Sequence, residues 1–498
     1  MGSEMLHLQG WIHDADRLGR LIATVVIFLS VLTAGQAQAI PAKLTHGDLD
    51  RLVPRLMDGA DIPGMSVVVL QHSRVSYVGN FGTMDRATNR PVERDTRFFA
   101  ASLSKPLFTY AVLRLANRGL IDLDRPLCEY EENPRLKHDP RYREITARMV
   151  LSHTSGLPNW TSGAELELSF EPGSSWEYSG EGFVYLQQVV QRITGEDLQD
   201  FMQSEVFGPL RMRNSSYVAD EQVARKLAGG HDLLGRPTGQ TLPTRRTMNP
   251  AGTLLTTAED YGRFIEALLR REGIDNKLAS MMSTAQARPT GFFGGENDSS
   301  VYWGLGFGIE AGRHGNNVWQ WGDNLDYRSF VMVDPQLGSG IIMLTNSANG
   351  LSVAERLAGT VLDGPHPAFD WLPYADFEDP RFIARRDLEH DFYENGGRGA
   401  ERIYSAASRS LSEQQLTELV VSTGKHLVRD GLPKQAIALL QLHVQHNQSD
   451  PDAHDMLASF YLSTGSTELA LASLKQSAKL DPDNRDRNAT IAKIERQL

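Results

Sequence analysis

The stretch RDTRFFAASLSKPLFTYAVLRLANRG, residues 94–119, runs from a polar segment into an amphipathic helix and sets Ser102 three residues ahead of Lys105. With Ser102 as the helix N-cap, Lys105 falls in the first turn on the same face, within reach of the serine hydroxyl. Pro106 fits there because first-turn amides have no intrahelical acceptor. The helix start also offers amide hydrogens and partial positive charge where an oxyanion forms. A lysine amine made neutral by burial, from its ordinary value of about 10.4, is a competent acceptor for the serine proton. On these residues alone, a plain N-cap beside a surface lysine is the competing reading. A second Ser-x-x-Lys, Ser422 to Lys425 in VSTGKHL, shows that the spacing needs its context.

Around this stretch the pattern is α/β. Met65–Leu70 and Val75–Val78 predict two strands around QHSR, a hairpin-like start. Helices are predicted over Ser102–Asn117, Ala147–Ser152, Gly182–Thr194 and Ala258–Glu272, the last showing 3.6-residue periodicity. The short apolar runs GLGFGIEAG, VWQWGD, RSFVMVDP and SGIIMLTN then predict a late antiparallel meander. A sheet begun near the N-terminus and finished near residue 346, with a helical insertion between, leaves one face for a cleft.

At 498 residues the chain exceeds one ordinary core. Arg17 and Arg20 before the apolar run Leu21–Ala34, with Ala37-Gln38-Ala39 after it, predict an export signal over residues 1–39. That gives a periplasmic or secreted protein with no stable span after cleavage; an uncleaved N-terminal anchor is the competing reading. A first compact domain is expected over residues 40–364, and the Pro-rich, charged residues 365–404 read as a linker. Residues 405–498 read as helical and tetratricopeptide-like, because Gly431, Ala436 and Leu440 recur 34 positions later as Gly465, Ala470 and Leu474. That tail is either a stabilising cap or a surface for a protein partner.

The net charge of −12 and the lack of a basic run exclude a nucleic-acid surface. Cys128, the only cysteine, reads as a buried structural thiol. His314 has no His or Cys at ligand spacing, so no metal site is expected. GFFGGENDSS, residues 291–300, lacks the strand and helix of a phosphate loop and reads as a mobile rim of the cleft.

The motifs SLSKP, LIDLDRPL, ITARMVLSHTSGLP, FEPGSSWEYSGEGFVYL, GPLRMRNSSY, NPAGTLLTTAEDYGRF and DYRSFVMVDP lie in the order of the serine β-lactamase-like family. The resemblance spans roughly residues 45–350 and covers class C β-lactamases, D-amino-acid peptidases and esterases. It implies a β-lactamase/transpeptidase-like fold and an acyl-enzyme on Ser102, with Lys105 and Tyr178 of WEYSGEGF managing its proton and no cofactor. Lysine beside Tyr178 is expected to favour its phenolate. His153 is implied to be a loop-forming residue.

Two positions depart from the family pattern. Gly180 stands where the family carries the Asn of Tyr-x-Asn, while the literal match at Tyr393–Asn395 falls in the expected linker. Gln320-Trp321-Gly322 stands where Lys-Thr-Gly or His-x-Gly is usual, so the cation is lost. Gly322 is expected to let a substrate backbone approach, and the resemblance implies that Asp323 shares the oxyanion with Ser102 through its amide. Trp303 and Trp319 fill either cleft or core, and Trp321 follows a site position. The resulting expectation is an exported hydrolase of an ester or amide, acting on a small-molecule or peptide-like substrate. The alternatives are a β-lactamase or D,D-carboxypeptidase, and a catalytically weak scaffold that uses its helical tail.

Overall fold

The computed structural model describes residues 45–496 except 162, 240 and 293–299. The expected export signal, residues 1–39, lies outside the described residues. Among the described residues no helix is long and apolar enough to cross a membrane.

Helix α1 (His46–Gly59) leads into β1 (Gly64–Gln71), which is buried along nearly its whole length, as a strand covered on both faces must be. The chain reverses through His72 and Ser73, at φ 51° and 59°, into β2 (Arg74–Asp85). Two successive left-handed residues make the tight turn that matches strand twist. After β3 (Arg90–Pro91) the insertion begins. It holds a separate antiparallel pair, β4 (Phe98–Ala101) and β5 (Leu254–Thr256), with helices α2 (Ser104–Asn117), α3 (Glu181–Thr194) and α4 (Ala258–Leu269). The chain then returns as β6 (Val301–Trp303), β7 (Gly308–Ala311), β8 (Asn316–Asp323), β9 (Arg328–Asp334) and β10 (Ser339–Thr345).

The eight-stranded sheet has the order β3-β2-β1-β10-β9-β8-β7-β6, antiparallel throughout. The strands nearest the two ends of the domain therefore pair at its centre, Met65 opposite Thr345 through Leu70 opposite Gly340. Helix α2 was expected to be amphipathic. Instead every residue from Ser104 to Leu113 is buried, so it forms the spine of the main core and carries Lys105 inside. On the sheet's other approach, α4 lies so close that a Cβ on Gly262 would sit 2.9 Å from Val75 Cγ2 and 3.1 Å from Val68 Cγ1.

The expected linker is corrected. Residues 365–404 carry α5 (Pro367–Trp371), α6 (Pro380–Asn395) and the start of α7 (Ala400–Ala407). Proline stands at the first turns of α5 and α6, where its missing N–H costs no bond, so what reads as helix-breaking sequence is helix-starting. Helices α8 (Glu413–Arg429), α9 (Pro433–His446), α10 (Pro451–Ser463), α11 (Thr467–Leu480) and α12 (Arg485–Glu495) complete the tail. Gly431 and Gly465 both take left-handed φ, 79° and 78°, between paired helices, and Ala436 and Ala470 are both fully buried. The Ser422 motif lies in α8, its hydroxyl donating to Leu419 O at 3.0 Å, while Gly424 admits Phe460 and Leu440 of the neighbouring helices. Tyr393 donates to Asp430, and Arg236 covers its ring at 3.8 Å, so the literal Tyr-x-Asn ties the tail to the catalytic part. Cys128 is only partly buried, and burial raises its thiol pKa.

Gly262→Leu is expected to destabilise the protein by about 1–3 kcal/mol through overpacking, read as an earlier urea-unfolding transition. An unmoved transition contradicts the close seating of α4.

Candidate active site

Ser102 is not the helix N-cap. That place is Leu103, without a side-chain cap, and Ser102 sits one residue earlier in a turn closed by Lys105 N donating to Ser102 O at 3.0 Å. Ala101, just ahead, has φ 49°, a conformation that costs a residue with a Cβ and is held by its surroundings. Ser104 Oγ donates to Ala101 O at 2.6 Å and accepts from Leu254 N at 3.1 Å. Ser329 Oγ on β9 donates to Ala100 O at 2.8 Å. Two buried serines thus fix the turn that presents Ser102.

Lys105 is 1% exposed; its Nζ donates to Ser102 Oγ at 3.1 Å and to Ala251 O at 2.9 Å. Nζ lies 4.5 Å from the Tyr178 ring centroid, and no carboxylate pairs with it among the described residues. Burial pulls its pKa from 10.5 down to about 7. Across that interval, protonating the amine is roughly 5 kcal/mol less favourable inside than in water.

Tyr178 borders the cleft, yet the surrounding protein is dense enough that burial pushes its pKa up, opposed by hydrogen bonds to Ser102 and Gln320. The expectation of a phenolate is therefore corrected: burial outweighs the favourable contacts, and the tyrosine keeps its proton. Gln320 is fully buried; its Nε2 donates to Tyr178 OH at 2.9 Å and to Trp321 O at 3.0 Å, while Oε1 has no partner among the described residues. Gln320 therefore faces tyrosine and not substrate. Where a cation was missing from the sequence, a neutral donor stands on the phenol oxygen.

The two glycines also receive different reasons from those expected. A Cβ on Gly322 would meet Ser329 Oγ at 2.0 Å and Ala100 O at 2.5 Å, so the missing side chain admits the nucleophile's own turn, not a substrate backbone. A Cβ on Gly180 would lie 2.6 Å from Trp160 Cζ2 and 2.7 Å from Asn159 O. Trp160, 52% exposed, lines the cleft and occupies the space an asparagine side chain would need.

The carboxylate of Asp323 is held: Arg328 Nη1 donates to Oδ1, Tyr374 OH to Oδ2 at 2.6 Å, and Leu325 N to Oδ1 at 3.0 Å. His153, at φ 61° and fully buried, accepts from Ser179 N on Nδ1 at 3.0 Å and packs tilted against Tyr178, ring centroids 4.4 Å apart. Burial, with Lys105 adding to it, drives its pKa well down, which suits a neutral structural ring. His314 Nδ1 lies 3.1 Å from Asp334 Oδ2. Trp303 and Trp319 are wholly buried, whereas Trp321 reaches the cleft. Most of the expected rim loop lies outside the described residues, but Phe292 lines the cleft.

Ser102, Tyr178, Trp321 and Asp323 thus come together at one cleft of about 900 Å³, with Lys105 directly beneath Ser102. Sequence reading missed Trp371 and Tyr374, which line the same cleft from the supposed linker. Their signal was present: Phe369, Trp371, Tyr374 and Phe377 in nine residues are too aromatic for a solvated connector.

The Beta-lactamase family model matches residues 49–364. The chain belongs to that family. Esterase EstB of Burkholderia gladioli is 28% identical over 362 residues, covering 60% of this chain and 90% of the relative. The fold is shared with D-alanine carboxypeptidase AmpC from Burkholderia cenocepacia, at 20% identity and a TM-score of 0.53, over 63% of this chain and 97% of that one. A class C beta-lactamase matches at 19% identity and a TM-score of 0.54, over 64% and 96% of the two chains. The protein is a serine hydrolase of the family.

Gln320→Leu removes the donor on the phenol oxygen and leaves the cleft wall in place. The expected result is roughly a tenfold slower reaction of Ser102 with a fluorophosphonate, the scale of one lost hydrogen bond. An unchanged rate contradicts a role for that bond.

Proposed function

We propose that the protein hydrolyses uncharged carboxylic esters through an acyl-enzyme on Ser102. Lys105, neutral above about pH 7, takes the hydroxyl proton as Oγ attacks the carbonyl carbon. The amides of Ser102 and Asp323 hold the oxyanion, and the Tyr178 phenol passes its proton to the departing alkoxide while regaining one from Lys105. Water then attacks the acyl carbonyl by the same relay and releases the acid. No cofactor enters the scheme.

The observation that carries this choice is the charge of the cleft. Among its described lining residues there is no Lys or Arg; the charged groups are Glu177 and Asp323. Arg328 faces the Asp323 carboxylate and is committed to it. A substrate carboxylate of the penicillin type therefore meets no free cation and at least one anion, whereas a neutral ester loses nothing there. The esterase among the relatives agrees with this reading. An exported location belongs to the same reading and rests on the sequence of residues 17–39.

Intact-mass spectra after treatment with a fluorophosphonate and with a fluorescent penicillin test the choice. Wild type is expected to gain the phosphonyl mass and no penicilloyl mass. Ser102→Ala should gain neither and lose p-nitrophenyl acetate hydrolysis by about a thousandfold or more. Equal labelling by penicillin would move the substrate class to carboxylate-bearing amides; no labelling of folded protein would favour a scaffold.

A further inference from the structure

Residues 366–378 lie beyond the segment matched by the family model and form a strap that brings Trp371 and Tyr374 to the cleft. Its first end is fixed by a buried acid. Glu310 on β7 is 0% exposed and accepts from His366 Nδ1 at 2.8 Å, Ala368 N at 3.0 Å and Asn317 Nδ2 at 3.1 Å. The far end is clamped by Arg356, whose Nε and Nη2 donate to Asp376 at 2.6 and 2.8 Å, with Nη2 also reaching Glu378 at 2.6 Å. The same guanidinium covers the Phe377 ring at 4.5 Å.

Between these anchors the strap is tied to two walls of the cleft. Trp371 Nε1 donates to Thr290 O at 2.8 Å, and Tyr374 OH to Asp323 Oδ2 at 2.6 Å. A segment held at both ends and in the middle is pre-organised, so a ligand that packs on it does not have to order it.

The Trp371 ring stands edge-on to Trp321 (5.7 Å, 71°), Phe292 (5.1 Å, 69°) and Trp176 (5.9 Å, 80°). Rings set perpendicular present a π-face and a hydrogen-bearing edge to the same space. A flat aromatic guest engages both, while a saturated ring of equal size gains contact area alone.

We propose that the strap is the specificity wall of the site, with Trp371, Trp321 and Phe292 forming a subsite for a flat, uncharged aromatic group of the ester. The reaction it serves rests on the ester reading above; the binding does not.

Titrating Ser102→Ala protein with methyl benzoate and with methyl cyclohexanecarboxylate, by tryptophan fluorescence, measures the subsite without turnover. The aromatic ester is expected to bind at least fivefold more tightly, a preference that falls to within twofold in Ser102→Ala/Trp371→Leu and is largely kept in Ser102→Ala/Trp371→Phe. Equal binding of the two esters by Ser102→Ala overturns the subsite and needs no strap variant. A preference that survives Trp371→Leu, in protein whose circular dichroism matches the parent, overturns the part given to Trp371. Hydrolysis of methyl benzoate by wild type is followed separately. Selective binding without hydrolysis removes the ester reading and keeps the subsite; hydrolysis without selective binding does the reverse.

Discussion

Everything at this site depends on keeping the Lys105 amine dry beside a serine hydroxyl. An ammonium in that position would have to forgo water with no carboxylate to replace it, and its only described acceptors are Ser102 Oγ and Ala251 O. Above about pH 7 neutrality is the cheaper state. The sign of the linkage follows: the unfolded chain holds this proton up to about pH 10.4, the folded one only to about 7. The cost to folding is therefore carried in full below pH 7 and fades as pH rises toward the ordinary lysine value. The rest of the core offsets that cost, and the return is a base poised at working pH.

The supports around the pair serve the same end. Helix α2 is buried on every side over its first turns, so Lys105 enters the interior with it. The strained φ of Ala101 is pinned by Ser104 and Ser329, and the absent side chain of Gly322 lets β8 close against that turn. Tyr178 is kept protonated by burial and oriented by Gln320, which has no net charge to disturb Lys105. A lysine at position 320 would lower the Lys105 pKa further by like-charge repulsion; with an amide there, burial alone sets it. The exchange of that cation for an amide agrees with a cleft that has no Lys or Arg among its described lining residues.

Much of this was legible in the chain. The β1 run MSVVVL and the late strands through Thr345 are apolar and bounded by turns, so the sheet could be read directly, as could the grouping of Ser102, Lys105 and Tyr178 by their motifs. Other features are set by contacts distant in sequence. The roles of Gly180 and Gly322 depend on Trp160 and on Ala100, which no local pattern places beside them. The turn His72-Ser73 adopts left-handed angles without the Asn-Gly signal. Residues 365–404 were misread because Pro and charge were counted as breakers, while Pro367 and Pro380 open helices and Trp371 and Tyr374 face the cleft.

The most direct measurement is the pH dependence of the second-order rate of Ser102 phosphonylation, followed by intact mass between pH 5 and 10.5. A single rising limb with a midpoint near 7 is expected, because the reactive form is the one with a neutral Lys105. A limb near 10, or a rate independent of pH across the range, would contradict a desolvated lysine as the base for Ser102.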